Sequence, residues 1–407
     1  MLTRTSCLLQ FIGFCAIIWL ATNTVVAQNS VGEFHKILRE KAAFDETDFA
    51  ALERGQTVVK LLPQQNKREV AVCGVVGLQV PAELFLQSFR ESLTQKKNPA
   101  ILEIGSFSST PTLDDLQNLT IENRDLDDLR ACVVGDCPLK LSATMIERFR
   151  KEVNWEAPDY RNQATQLLKR MLLDYVRDYR ARGDVALIEY NDKPQEVQLA
   201  EEQRALMAAP SYINDVLTEL PPYLKAFPLP ERPPVENAIV WSKIKFGLKP
   251  VIAINHIMIY KRVHEAGTQI LVASKQIYAN HYFDSSLALT AFVTIPGSNG
   301  GSYLFYENRS RADGLEGAFS KVKRGIVENK SVAALKAILE QSRMNLHAGV
   351  LNNTEPAASL DRERSWRRWT VGGVHLFLWL LLITAFVALF TLGNYDWRAG
   401  ISGGMHD

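Results

Sequence analysis

The chain is predicted to be an α+β protein: an antiparallel sheet closed by a long C-terminal helix, interrupted by a helical insertion and followed by a single transmembrane helix. Three observations carry this. Five strand-like runs follow one another between residues 238 and 308 with short turns between them, an amphipathic run follows them, and an uncharged apolar stretch lies at each end. The 407 residues carry 46 Lys and Arg against 45 Asp and Glu, and this near neutrality excludes nucleic acid as the main partner. With 47% hydrophobic and 22% charged residues, the composition is that of a folded chain.

Taken in order, residues 1–27 read as a signal peptide. Thr5 to Gly32 is uncharged, Arg4 precedes a short apolar core from Cys7 to Ala21, and Val25 and Ala27 place small residues before a cleavage point. Residues 28–98 hold short helices at Glu33 to Ala43 and Thr47 to Arg54, then strands at Thr57 to Leu62 and Glu69 to Val80. Gly74 and Gly77 mark the second strand as bent or closely approached. Pro81 opens a helix through Ser92, with Leu84, Phe85 and Phe89 on one face.

Residues 99–234 read as a mostly helical insertion ending in a Pro-rich connector, which contains Pro221, Pro222, Pro228, Pro230, Pro233 and Pro234. Ser142 is placed to cap a helix running to Val153, and Ala164 to Tyr179 carries one apolar stripe at intervals of three and four. The acidic group Asp114, Asp115, Asp125, Asp127 and Asp128 lacks the spacing of a calcium loop and reads as a solvated face or as helix caps. Cys132 and Cys137 flank a Gly-Asp turn. In an oxidising compartment they form a local disulfide, whereas Cys73 reads as a small core residue.

Residues 235–347 hold the sheet and its closing helix. The runs Ala238 to Ile244, Pro250 to Tyr260, Gln269 to Tyr278, Phe283 to Ile295 and Ser302 to Asn308 form a meander, because short links make antiparallel neighbours. Val332, Leu335, Ile338, Leu339, Ser342 and Leu346 then share one helix face. A tether over 348–370 leads to Val371 to Gly393, whose 23 residues make a helix of about 34 Å, enough to cross a bilayer. Residues 394–407 are a short tail, and Trp366, Trp369, Tyr395 and Trp397 flank the span as interfacial aromatics.

The order of strand, helix, antiparallel meander and long final helix resembles the START-like helix-grip fold, with the insertion as the main departure. That resemblance implies a curved sheet gripping a helix around an apolar cavity for a lipid or another hydrophobic ligand. A looser similarity to uncharacterised bacterial envelope proteins adds an address without an activity.

Candidate ligand-binding residues come from the polar-aromatic stretch after Ser274 and from the last strand: Gln276, Tyr278, His281, Tyr282, Arg309 and Arg311. Alternation puts Ser274, Gln276, Tyr278, Asn280 and Tyr282 on one face. His281 and Asp284 beside a serine would make an acid-base pair. No nucleophile elbow, Ser-x-x-Lys pair, zinc-binding His-Glu-x-x-His or phosphate loop accompanies them, so no catalytic residue, metal or cofactor is assigned.

The expectation is a single-pass protein with its main domain on the exported side, a periplasmic or extracellular domain that binds a hydrophobic ligand. A scaffold that binds another envelope protein is the alternative function, and a hydrolase using His281, Asp284 and a nearby serine is the third. Arg362, Arg364, Arg367 and Arg368 precede the span, so the positive-inside rule favours a different topology: two passes, with the domain in the cytoplasm.

Overall fold

A computed structural model describes residues 34–96, 100–209, 223–225, 227–228, 235–264, 267–295, 301–315 and 320–354. The expected signal segment, the span at 371–393, the tail and most of the Pro-rich connector lie outside the described residues. No helix among the described residues is long and apolar enough to cross a membrane.

The fold is mixed α+β, built on a large antiparallel sheet with a long C-terminal helix. Helical residues 34–42 (α1) and Glu46–Glu53 (α2) precede strands Val58–Leu61 (β1) and Glu69–Gln79 (β2), and helix Ala82–Ser92 (α3) follows. Strand Ile101–Phe107 (β3) leads into helices Asn123–Leu129 (α4), Ala143–Glu152 (α5) and Tyr160–Arg182 (α6). A small ladder of Glu189–Tyr190 (β4) and Val197–Gln198 (β5) and helix Leu199–Ala208 (α7) come next. The five meander strands are Val235–Ile244 (β6), Val251–His264 (β7), Gly267–Ala279 (β8), Phe283–Thr294 (β9) and Gly301–Ala312 (β10), and helix Ser320–Thr354 (α8) follows them.

The main sheet runs β1-β2-β10-β9-β8-β7-β6-β3, all antiparallel. The meander thus forms as the turn spacing predicts. Its last strand then pairs with β2, which joins the first part of the chain to the last. Two readings change. Residues 101–107 are a sheet edge strand rather than part of a helical insertion, and α8 continues to Thr354, past the boundary at 347.

Both faces of this sheet are covered, so its strands bury residues of both parities. In β2, Val70, Val72, Val76 and Leu78 face one apolar cluster, which they share with Phe85 and Phe89 of α3 and with Leu335, Ile338 and Leu339 of α8. Ala71, Cys73 and Val75 face the opposite side, under Leu38 of α1, Phe49 of α2 and Leu206 of α7. Further along that second side, Trp241, Ile252 and Ile254 meet Leu167, Leu172 and Val176 of α6. The result is three layers: α3 and α8, the sheet, and a layer made from the N-terminal helices and the insertion.

Gly74 shows why the second strand needs its glycine. A Cβ built there would lie 2.5 Å from Leu339 Cδ1 and 3.1 Å from Val59 Cγ2, so α8 rests directly on the β2 backbone. Gly105 serves β3 in the same way, where a Cβ would meet the Trp241 ring at 2.6 Å.

The insertion is locked to the sheet through an irregularity. Ile254 pairs with Tyr278 and Asn255 with Gln276, so Ile277 is an extra residue in β8, a β-bulge. Carbonyls at a bulge fall out of the ladder and need other donors. Tyr175 of α6 donates its hydroxyl to Ile277 O, and Gln203 Nε2 of α7 donates to Gln276 O at 2.7 Å and Ser286 O at 3.1 Å. The Ala279 N–H donates to Tyr190 Oη at 2.9 Å. Three insertion side chains therefore complete the hydrogen bonding of one strand. Ser142 accepts from Met145 N–H at 3.2 Å and caps α5, and Cys132 and Cys137 form a disulfide around Gly135, whose φ is +88°.

Candidate functional site

The bulge divides the polar stretch of β8 between the two faces of the sheet. Ser274 and Gln276 stay on the side of Val272, toward α3 and α8, whereas Ile277 and Tyr278 both pack on the α6 side. Perfect alternation would have kept Ser274, Gln276 and Tyr278 together, and the extra residue ends it. Tyr282 lies at a tight corner with φ +62°, its hydroxyl accepting from Lys249 N–H at 3.1 Å and its ring 5.3 Å from Phe246.

The helix-facing side carries uncharged polar groups amid aliphatic ones. Ser286 and Thr290 of β9 share this face with Ala288 and Phe292, and Asn308 and Ser310 of β10 share it with Leu304 and Ala312. Ser286 Oγ and Ser310 Oγ lie 2.8 Å apart, Ser310 Oγ donates to Asn308 Oδ1 at 2.8 Å, and Asn308 Nδ2 donates to Ser286 Oγ at 3.2 Å. Beside this closed triangle, Ser274 Oγ, Gln276 Nε2 and Thr290 Oγ1 are buried without a hydrogen-bond partner. Of the charged pairs on this side, Glu83 with Lys261 and Arg90 with Glu236 sit at its rim, and Arg324 of α8 lies 3.5 Å from Glu328 and donates to Glu69 O at 2.8 Å.

Charge is concentrated on the opposite face. Arg309 joins Glu69 at 2.8 Å and Glu307 at 3.0 Å, and Arg311 joins Glu202 of α7 at 2.8 Å. Arg68 bridges Glu202 and Asp284, and Lys140 bonds Asp284 at 2.8 Å. Burial opposes the charge of Glu202, but the hydrogen bonds from Arg311 and Arg68 outweigh it and hold the carboxyl below its usual range. Arg309 is thus paired within the sheet, and Arg311 is absorbed in a pair that ties α7 to it. They are not presented to the helix-facing layer.

No family model, curated protein or solved structure matches this chain. The geometry of its side chains is therefore the basis for any functional reading.

His281 and Asp284 take separate partners. His281 Nε2 lies 2.9 Å from Asp125 Oδ2, and Lys249 Nζ donates to Asp125 Oδ1 at 2.9 Å. Burial would raise the Asp125 pKa, yet His281 and Lys249 together pull it below the ordinary value. Asp125 is almost fully buried, unlike the solvated acidic face its neighbours suggest. No group of three or more potential metal ligands forms among the described residues.

A further buried cluster surrounds His256. Tyr179 Oη lies 2.9 Å from Nδ1, Nε2 lies 2.9 Å from Asn237 Oδ1, and Asn237 Nδ2 donates to Tyr223 Oη at 2.9 Å. Asn237 Nδ2 also donates to Val235 O at 3.3 Å, and because a carbonyl only accepts, this fixes the amide orientation, so Nε2 carries the imidazole proton and Nδ1 accepts from Tyr179. Burial, aided by the nearby Lys275, pushes the His256 pKa down to about 3. Lys275 is itself buried, and desolvation lowers its pKa against the pull of its partner Asp184.

Sequence reasoning passed over Thr290, Gln203, Glu69 and Glu202. Thr290 sits in an apolar run where a single hydroxyl gives little signal, and the other three matter only through strands and helices distant in the chain.

Proposed function

We propose that this chain is a membrane-anchored, exported binding domain that holds a neutral amphiphile between its sheet and helices α3 and α8, as a carrier or sensor. The ligand is an apolar molecule bearing an uncharged hydrogen-bonding group, as many lipids do. The observation that carries this reading is the trio Ser274 Oγ, Gln276 Nε2 and Thr290 Oγ1, buried without partners in a layer of aliphatic and aromatic side chains that also leaves the Tyr306, Ser331 and Ser342 hydroxyls without partners. An unsatisfied buried hydroxyl or amide costs about 1–3 kcal/mol, and a ligand that supplies the missing partner recovers that cost. The concentration of charge on the opposite face supports a neutral ligand group, because the charged side chains on this side, Arg324 with Glu328 and the two rim pairs, are already matched with one another. Cleavage after Ala27 and anchoring by 371–393 belong to this proposal. The Cys132–Cys137 disulfide supports export, since such bonds persist in oxidising compartments.

The full chain, extracted in mild detergent and analysed by solvent extraction and mass spectrometry, is expected to release a neutral amphiphile. The variant Ser274→Ala, Gln276→Leu, Thr290→Val should lose that molecule while still unfolding cooperatively. A wild-type chain without a bound molecule, or a folded variant that retains it, would count against the proposal.

A further inference from the structure

Helix α8 has a second face that the sheet does not use. Val327, Ser331, Leu335, Ile338, Leu339, Ser342 and Leu346 are buried, whereas Val322, Ile326 and Met344 on the other side are 62%, 42% and 53% exposed. Ile326 and Met344 are 18 residues apart, roughly five helical turns, so they project in the same direction with Ala333 and Ala337 between them. Lys323 and Lys330 border this stripe on one side and Lys336 on the other. Glu340 is the one acid within it. Lys323 and Lys336 make no ion pair among the described residues, while Arg324 and Arg343 are occupied by Gln64 and by Gly55 O.

We infer that this face of α8 docks on an anionic lipid surface. Apolar residues flanked by lysines match the boundary between acyl chains and anionic head groups, where each lysine near the surface adds attraction. The same lysines disfavour a second copy of the chain as the occupant, because helices paired along this stripe would bring lysines against lysines. The position of the helix agrees with this. From Thr354, the 16 residues of 355–370 reach at most about 55 Å, which confines α8 to the neighbourhood of a bilayer that holds 371–393. In this respect the inference rests on the anchor reading above.

The test uses the full chain carrying Cys7→Ser and Cys15→Ser, with an environment-sensitive fluorophore placed through Ile326→Cys or Met344→Cys. Val263→Cys, at an exposed position in β7, is the control. In nanodiscs containing phosphatidylglycerol, the two helix labels are expected to shift to the blue relative to phosphatidylcholine alone. The control label should not move, and high salt or the combined change Lys323→Glu, Lys330→Glu, Lys336→Glu should abolish the shift. Helix labels that stay in water in both lipids overturn the inference. So does a blue shift in detergent that grows with protein concentration, which would mean a second copy. A chain that fails to enter nanodiscs removes the anchor reading instead. Flotation of that chain with phosphatidylglycerol vesicles then decides the surface, with binding supporting it and failure to float overturning it.

Discussion

His256 is held neutral by its surroundings. Its folded pKa of about 3 lies below the ordinary 6.5, because burial penalises the imidazolium and both ring nitrogens are already engaged. The unfolded chain therefore binds the proton more readily. The stability this residue contributes is complete above pH 6.5 and falls away as the pH drops toward 3. The loss is on the order of 4 kcal/mol across that window. Asp125 and Glu202, whose pKa values are also depressed, lose their contributions only as the pH falls through the ordinary carboxylate range, so pH 6.5 to about 4.5 reports on the histidines: His256, the most deeply buried, together with His35 and His347, whose pKa values burial also lowers. Chemical denaturation at a series of pH values should show stability declining through this interval in the wild type and a flatter profile in His256→Gln. An unchanged slope in the variant would mean that another group titrates there.

At the scale of elements, the bulge in β8 explains why the insertion cannot be treated as a detachable unit. Tyr175 and Gln203 hold carbonyls that the bulge frees from the ladder. Tyr175→Phe keeps the ring but leaves the Ile277 carbonyl unsatisfied, and is expected to cost about 1–3 kcal/mol by denaturant unfolding. A loss within a few tenths of a kcal/mol would show that the hydroxyl matters little. The elements most legible in the sequence were those with strong periodicity: the five-strand meander, the α6 stripe and the buried face of α8. Strand β3 was not legible. It is a seven-residue edge strand whose Gly105 makes sense only once Trp241 of β6 lies across it. The bulge was equally hidden, since Ile277 looks like any other strand residue. The candidate site was read in part: Ser274 and Gln276 do share a face, but Tyr278 crosses to the other side, and the acidic partners of Arg309 and Arg311 come from β2, from β10 itself and from α7.

At the scale of the whole molecule, the disulfide and the arginines at 362–368 pull the topology in opposite directions. Alkaline phosphatase fused after Asn353 is expected to be active, because the exported reading places that point outside. An inactive but stable fusion would put the domain in the cytoplasm and leave Cys132 and Cys137 as a chance pair. The pairing of β2 with β10 has a further consequence, for the order of events during synthesis. Glu69 and Arg309 are 240 residues apart in the chain, yet they meet across adjacent strands. Strands β1 and β2 cannot join the sheet until residues 301–312 have emerged. For most of its synthesis the chain therefore carries a valine-rich strand with only the short β1 beside it and its other edge unpaired, exposed to wrong pairings. The last strand and the helix behind it end that exposure together, so residues 301–354 decide when strands β1 and β2 take their place in the sheet.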